Sequence, residues 1–114
     1  MSLKITKRDV NGVRILDVSG RLTIGESSAS FREEMQKELE KGHLKILLNL
    51  GDVSYIDSAG LGDLISAYTS VTNRGGKLKL LNLTKRVHDL MQITKLYTVF
   101  EVYDDETTAL GTFG

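Results

Sequence analysis

The chain contains no cysteine, no proline and no tryptophan. Without cysteine it forms neither disulfides nor thiolate metal sites, and a reducing compartment is open to it. Without proline, no X-Pro bond can isomerise as a slow switch. Excess charge of one sign is also missing, since 15 Lys and Arg balance 15 Asp and Glu. Nothing therefore announces a nucleic-acid partner or an anionic membrane surface. No apolar run approaches the roughly 18 residues of a membrane span. The start, Met1-Ser2-Leu3-Lys4-Ile5-Thr6-Lys7-Arg8, lacks the apolar core of a signal peptide. A cytoplasmic location is expected. What is present is ordinary for a globular protein: 114 residues, 40% hydrophobic and 26% charged, enough for one domain over residues 1–114 with one hydrophobic core.

Periodicity divides the chain into short elements. Residues 3–10 and 13–19 read as strands around Asn11-Gly12, the strongest short signal for a two-residue hairpin turn. Residues 20–25 then leave the second strand as a loop. Phe31, Met35 and Leu39 recur at helical spacing within residues 27–41. Ser30 with Glu33 makes a capping box there, with Ser27 or Ser28 as equally good starts, and Gly42 is a natural stop. Glu33 and Lys37 form a favourable pair one turn apart. Residues 44–50 are nearly continuously apolar, as suits a central strand buried on both faces. A helix from Asp57 to about Asn73 carries Leu61, Leu64, Ile65, Tyr68 and Val71 on one face. Residues 77–81 read as a strand. Residues 84–94 read as a helix with Val87, Leu90, Met91 and Thr94 inward, and residues 99–103 as a last strand. Asp104-Asp105-Glu106 places negative charge where a final helix begins. The order is β-β-α-β-α-β-α-β-α: an α/β fold with a mixed, mostly parallel sheet, an opening hairpin and four helices. In such sheets, sites gather at the carboxyl ends of the parallel strands. Residues 20–25 and 51–58 leave strands at that end.

The most informative stretch is Ile56-Asp57-Ser58-Ala59-Gly60-Leu61-Gly62. Two glycines stand in the first turn of a helix, where each costs roughly 1 kcal/mol relative to alanine. Such a cost is accepted where something must approach the backbone. Either Asp57 or Ser58 can cap the helix, which leaves the other side chain free. A phosphate on Ser58 would add a charge of about −1.5 to −2, tolerable at a helix start and repelled by Asp57. A partner fitted to a small neutral hydroxyl would not tolerate it.

Other chemistries fit less well. A serine hydrolase needs a base beside its nucleophile. The histidines, His43 and His88, are placed at the far end of the central strand and on the third helix, and no G-x-S-x-G elbow is present. Gly75-Gly76-Lys77 lacks the spacing and hydroxyl of a phosphate-binding loop. The histidines and acids show no metal-ligand spacing. A phosphoacceptor role for Asp57 needs an acid pair for magnesium, and Asp9 stands alone at the hairpin. Neither catalytic residues nor a cofactor are expected.

The run Asn49-Leu50-Gly51-Asp52-Val53-Ser54-Tyr55-Ile56-Asp57-Ser58-Ala59-Gly60-Leu61-Gly62 resembles the signature of the STAS family, the bacterial anti-sigma-factor antagonists. Gly20-Arg21-Leu22 and the order of elements fit the same family over essentially the whole chain. The resemblance implies a small partner-switching regulator. Unphosphorylated, such a protein binds an anti-sigma factor that is also a serine kinase, and so releases a sigma factor. The kinase then phosphorylates the motif serine, here Ser58, and a serine phosphatase restores the active form. The implied partner surface is Arg21, Leu22, Thr23 and Ile24 with Asp57, Ser58, Ala59, Gly60, Leu61 and Gly62. Family members usually carry an aspartate or similar polar residue where this chain has Thr23. Leu61 can serve as core or as contact. Two other readings use the same residues: an unphosphorylated STAS scaffold subunit of a sensory or transport complex, and a nucleotide-binding or hydrolytic enzyme.

Overall fold

The computed structural model describes residues 3–114; Met1 and Ser2, the first residues of the start that lacks a signal-peptide core, lie outside the described residues. β1 (Lys4–Val10) and β2 (Val13–Leu22) form the expected hairpin, in register from Lys4 opposite Ser19 to Val10 opposite Val13. Asn11 and Gly12 both take positive φ, 52° and 80°, which gives a turn whose twist matches the strands it joins. There follow α1 (Glu26–Glu40), β3 (Lys45–Ile56), α2 (Ser58–Asn73), β4 (Lys77–Leu81), α3 (Lys85–Thr94), β5 (Val102–Tyr103) and α4 (Glu106–Gly111). The five strands lie in chain order across one sheet. β1 is antiparallel to β2, and β2 through β5 are parallel. This is the α/β architecture with a mixed sheet and four helices that the sequence predicts.

Strands that follow chain order, joined by crossovers of one hand, place the connecting helices on one face. The core sits there. Phe31, Met35 and Leu39 of α1, Leu61, Leu64 and Val71 of α2, and Val87 and Met91 of α3 pack over Leu16, Ile46, Leu48 and Leu80. α4 covers part of the opposite face, with Ala109 and the following Phe113 on Val13, Ile15, Leu47 and Leu81. Lys79 is buried there. Its ammonium donates to the Thr112 carbonyl at 3.0 Å and hydroxyl at 2.9 Å, and sits 3.2 Å from a Glu101 carboxylate oxygen. A cation at the last carbonyls of a helix is favourably placed.

Several boundaries differ from the sequence reading. β2 runs to Leu22 and β3 to Ile56, so residues 20–22 and 51–56 are strand rather than loop. The pair stays in contact through register shifts at Asp17/Ser19 and Gly20/Arg21, and the Ser54 hydroxyl donates to the Gly20 carbonyl at 3.2 Å. Bulges of this kind carry the glycines and polar residues that otherwise signal a turn. Leu44 lies outside the strand and is exposed. α1 starts at Glu26 with Gly25 as its N-cap and no side-chain cap, so neither Ser27, Ser28 nor Ser30 caps it. Ser27 instead folds onto Thr23, accepting its N–H and donating to its carbonyl, each at 2.9 Å. The Ser28 hydroxyl donates to the buried Asp63 carboxylate at 2.5 Å. β5 is shorter than residues 99–103. Lys95 takes a left-handed conformation and a 3-10 turn over Leu96–Thr98 redirects the chain. Phe100 then packs edge-on against Tyr68, 5.3 Å between ring centroids. Thr94 is exposed rather than inward, and Ile65 of α2 is exposed too, outside the core that Leu61, Leu64 and Val71 enter.

Candidate partner-binding and phosphorylation site

Leu22 pairs with Ile56, so β2 and β3 end side by side. Their outgoing segments, residues 23–25 and Asp57, are therefore neighbours. Asp57 joins them further. It is the N-cap of α2: one carboxylate oxygen accepts the Gly60 N–H at 2.9 Å and the other accepts the Ile24 N–H, 33 residues earlier in the chain, also at 2.9 Å. Its own N–H donates to the Leu22 carbonyl at 3.3 Å. One side chain thus starts a helix and fixes the loop beside it. The bond from the Ile24 N–H, then that from Gly60, hold the Asp57 carboxyl below the usual aspartate range.

With Asp57 as the cap, Ser58 is left free. It is exposed, and its hydroxyl makes no hydrogen bond among the described residues. Ala59 and Gly62 are half-buried beside it. Ile24 projects from the adjoining loop with 79% of its surface exposed, and Thr23 is half-buried. Arg21 is exposed and stacks on Tyr55, 4.7 Å from the ring centroid. These residues gather at the carboxyl ends of β2 and β3.

Three residues of the expected surface are placed in the interior instead. Leu22 is fully buried, and Leu61 is 7% exposed and belongs to the core. Gly60 is buried too. A Cβ built on it would lie 2.2 Å from the Leu22 carbonyl oxygen and 2.8 Å from the Ile56 side chain. The approach that demands a glycine at position 60 is made by this chain's own β2, not by another molecule. At Gly62 an added Cβ meets nothing within 4 Å.

The family described as STAS domain matches residues 4–109. The chain belongs to this family. An anti-sigma F factor antagonist from Paenibacillus polymyxa is 29% identical, over 96% of this chain and 94% of its own length. An anti-sigma-B factor antagonist from Bacillus subtilis is 34% identical, over 84% of this chain and 85% of its own. The crystal structure of a candidate anti-sigma factor antagonist from Thermotoga maritima superposes with a TM-score of 0.89 at 30% identity, covering 96% of this chain and 93% of that one.

In this STAS domain neither histidine is hydrogen-bonded to Ser58 among the described residues. His43 faces Glu38 at 3.8 Å and His88 faces Asp89 at 3.7 Å. Among the described residues, no group of three His, Asp or Glu side chains is arranged to hold a metal ion, and no helix is long and apolar enough to cross a membrane. Sequence reasoning missed Tyr55, Thr84 and Arg86 at the same end of the sheet. Thr84 caps α3 through the Val87 N–H at 3.4 Å and donates its hydroxyl to the Val53 carbonyl at 3.0 Å. That bond docks the first turn of α3 beside the end of β3 and brings Arg86 to 4.3 Å from the Tyr55 ring centroid. A threonine one residue before a helix was the available signal.

The Asp57 clamp makes stability depend on pH. A carboxyl whose folded pKa lies below its unfolded value stabilises the fold fully above the unfolded pKa, about 3.9 for aspartate. That contribution is lost as pH falls through the folded value. Asp57→Asn keeps only one acceptor oxygen for the two N–H groups. Urea unfolding is expected to find the variant less stable than wild type at pH 7, with the gap closing below about pH 4. A gap that stays constant to pH 3 would show that the charge on Asp57 contributes nothing.

Proposed function

We propose that this STAS domain, acting as one unit over residues 1–114, is a cytoplasmic anti-sigma factor antagonist controlled at Ser58. In its unphosphorylated form it binds an anti-sigma factor with serine kinase activity, and the sigma factor held by that protein is released. The kinase transfers a phosphoryl group to the Ser58 hydroxyl, the complex separates, and a serine phosphatase resets the system. The protein acts by binding: it uses no cofactor, catalyses no reaction, and contacts neither nucleic acid nor membrane directly.

One observation carries this reading. The cap of α2 is supplied by Asp57, so the exposed Ser58 hydroxyl has no structural task among the described residues. It stands at a helix start, where phosphate charge is tolerated. The names of the Paenibacillus and Bacillus relatives support the same role. The surface offered to the partner is narrowed by burial to Arg21, Thr23, Ile24, Ser58, Ala59 and Gly62, with Asp57 holding the two segments together. Leu22, Gly60 and Leu61 support it from beneath.

Incubation with ATP and each purified serine-kinase anti-sigma factor from the same genome tests the proposal. Mass spectrometry is expected to find a single phosphate, mapped to Ser58 and absent from Ser58→Ala. Modification confined to another serine, with binding indifferent to Ser58→Glu, would remove it.

A further inference from the structure

The balanced charge of the chain hides a local imbalance. Arg21 at the end of β2 and Arg86 in the first turn of α3 lie 4.7 and 4.3 Å from the same Tyr55 ring centroid. Both arginines are exposed. Neither forms an ion pair or a side-chain hydrogen bond among the described residues, in contrast to Arg8, Arg14 and Arg32, which each face carboxylates. Two guanidinium groups beside one ring repel each other. The ring's electron-rich face offsets part of that repulsion, and no carboxylate among the described residues pairs with either arginine. Asp57, an acid of the motif, is already committed to two backbone N–H groups.

We infer that Arg21, Tyr55 and Arg86 form a second half of the partner surface, built to receive carboxylate side chains of the protein that docks over Ser58. Three features favour a protein carboxylate. The stack restrains two long side chains in advance, which lowers the entropy lost on binding. Arginine and tyrosine are, with tryptophan, the residues enriched at the energetic centres of protein interfaces. The stack is also joined to the Ser58 site through the paired ends of β2 and β3, where Arg21 lies opposite Tyr55. The partner's contact face is accordingly acidic where it passes over α3. This inference rests on the antagonist reading, because it names the chemistry of the same partner.

The test uses the purified protein and each serine-kinase anti-sigma factor from the same genome, with affinity measured by calorimetry at about 50 and 300 mM salt. Arg86→Glu is expected to weaken binding about tenfold or more and to reduce its salt dependence. Arg86→Lys keeps the charge but loses the guanidinium and should fall between the two. Thermal unfolding monitors folding, and an acid-to-lysine replacement on the partner should recover the Arg86→Glu loss if the contact is direct. Arg86→Glu binding within about twofold of wild type, while Ser58→Glu abolishes binding, overturns the inference and leaves the antagonist reading intact. Failure of every such kinase to bind wild type removes both. Inorganic phosphate bound by wild type and lost in Arg86→Glu, with partner affinity unchanged, would make the stack an anion site and likewise overturn it.

Discussion

Replacing Gly60 by alanine is expected to destabilise the protein by about 2–3 kcal/mol, although alanine is the better helix former. The added methyl carbon would stand 2.2 Å from the Leu22 carbonyl oxygen, 2.8 Å from Ile56 Cγ1 and 2.9 Å from Leu22 Cγ. The first of these is backbone in a paired strand and cannot swing aside as a side-chain tip could. α2 must then move off the end of β2. That motion opens the core beneath Leu61 and stretches the Asp57 bonds to Gly60 and Ile24. In a domain of this size the loss corresponds to a fall in melting temperature of about 10 °C. Gly62→Ala is the matched control. It has open space around the new Cβ, so it should gain up to about 1 kcal/mol from helix propensity. Urea titration of both variants checks the pair. Equal effects would show that the Leu22 contact does not decide the glycine at position 60.

The second large effect is on binding. Ser58→Glu is expected to weaken the complex with the anti-sigma kinase about 100-fold, while Ser58→Ala stays within a few-fold of wild type. A carboxylate pressed into an interface fitted to a hydroxyl is desolvated without a partner, and leaving one charge of a buried pair unpaired at an interface costs about 2–5 kcal/mol. Stability should hardly change. Residue 58 is exposed at the start of α2, where a negative side chain interacts favourably with the helix dipole. Affinity measured beside thermal unfolding separates the two. A parallel fall in melting temperature would place the effect in the fold and not at the interface.

Much of this was legible from the residues. The hairpin turn at Asn11-Gly12, the stripe of Phe31, Met35 and Leu39, the strand at residues 77–81 and the acidic start of α4 each follow from one local rule, and tertiary packing agrees with all of them. What stayed hidden depends on a second segment. Gly51 and Asp52 look like a turn until β2 is beside them, when they become part of a bulged pair. Ser27 and Ser28 look like helix caps until Thr23 and Asp63 claim their hydroxyls. Gly60 and Gly62 look alike in sequence, yet one meets a carbonyl and the other open space. Nothing in the sequence joins Arg21, Tyr55 and Arg86, which are brought together by strand register and by one threonine cap.

The outermost strands have a consequence for how any partner can arrive. An unpaired strand edge invites another chain to add a strand. Here one edge belongs to β1, which carries Lys4, Lys7, Arg8 and Asp9, and the other to β5, only two residues long. Charge discourages strand addition on the first side and brevity on the second. In the proposed function, recognition then falls to side chains at the strand tips, where adding or removing one phosphate would change the fit without disturbing a single rung of the ladder.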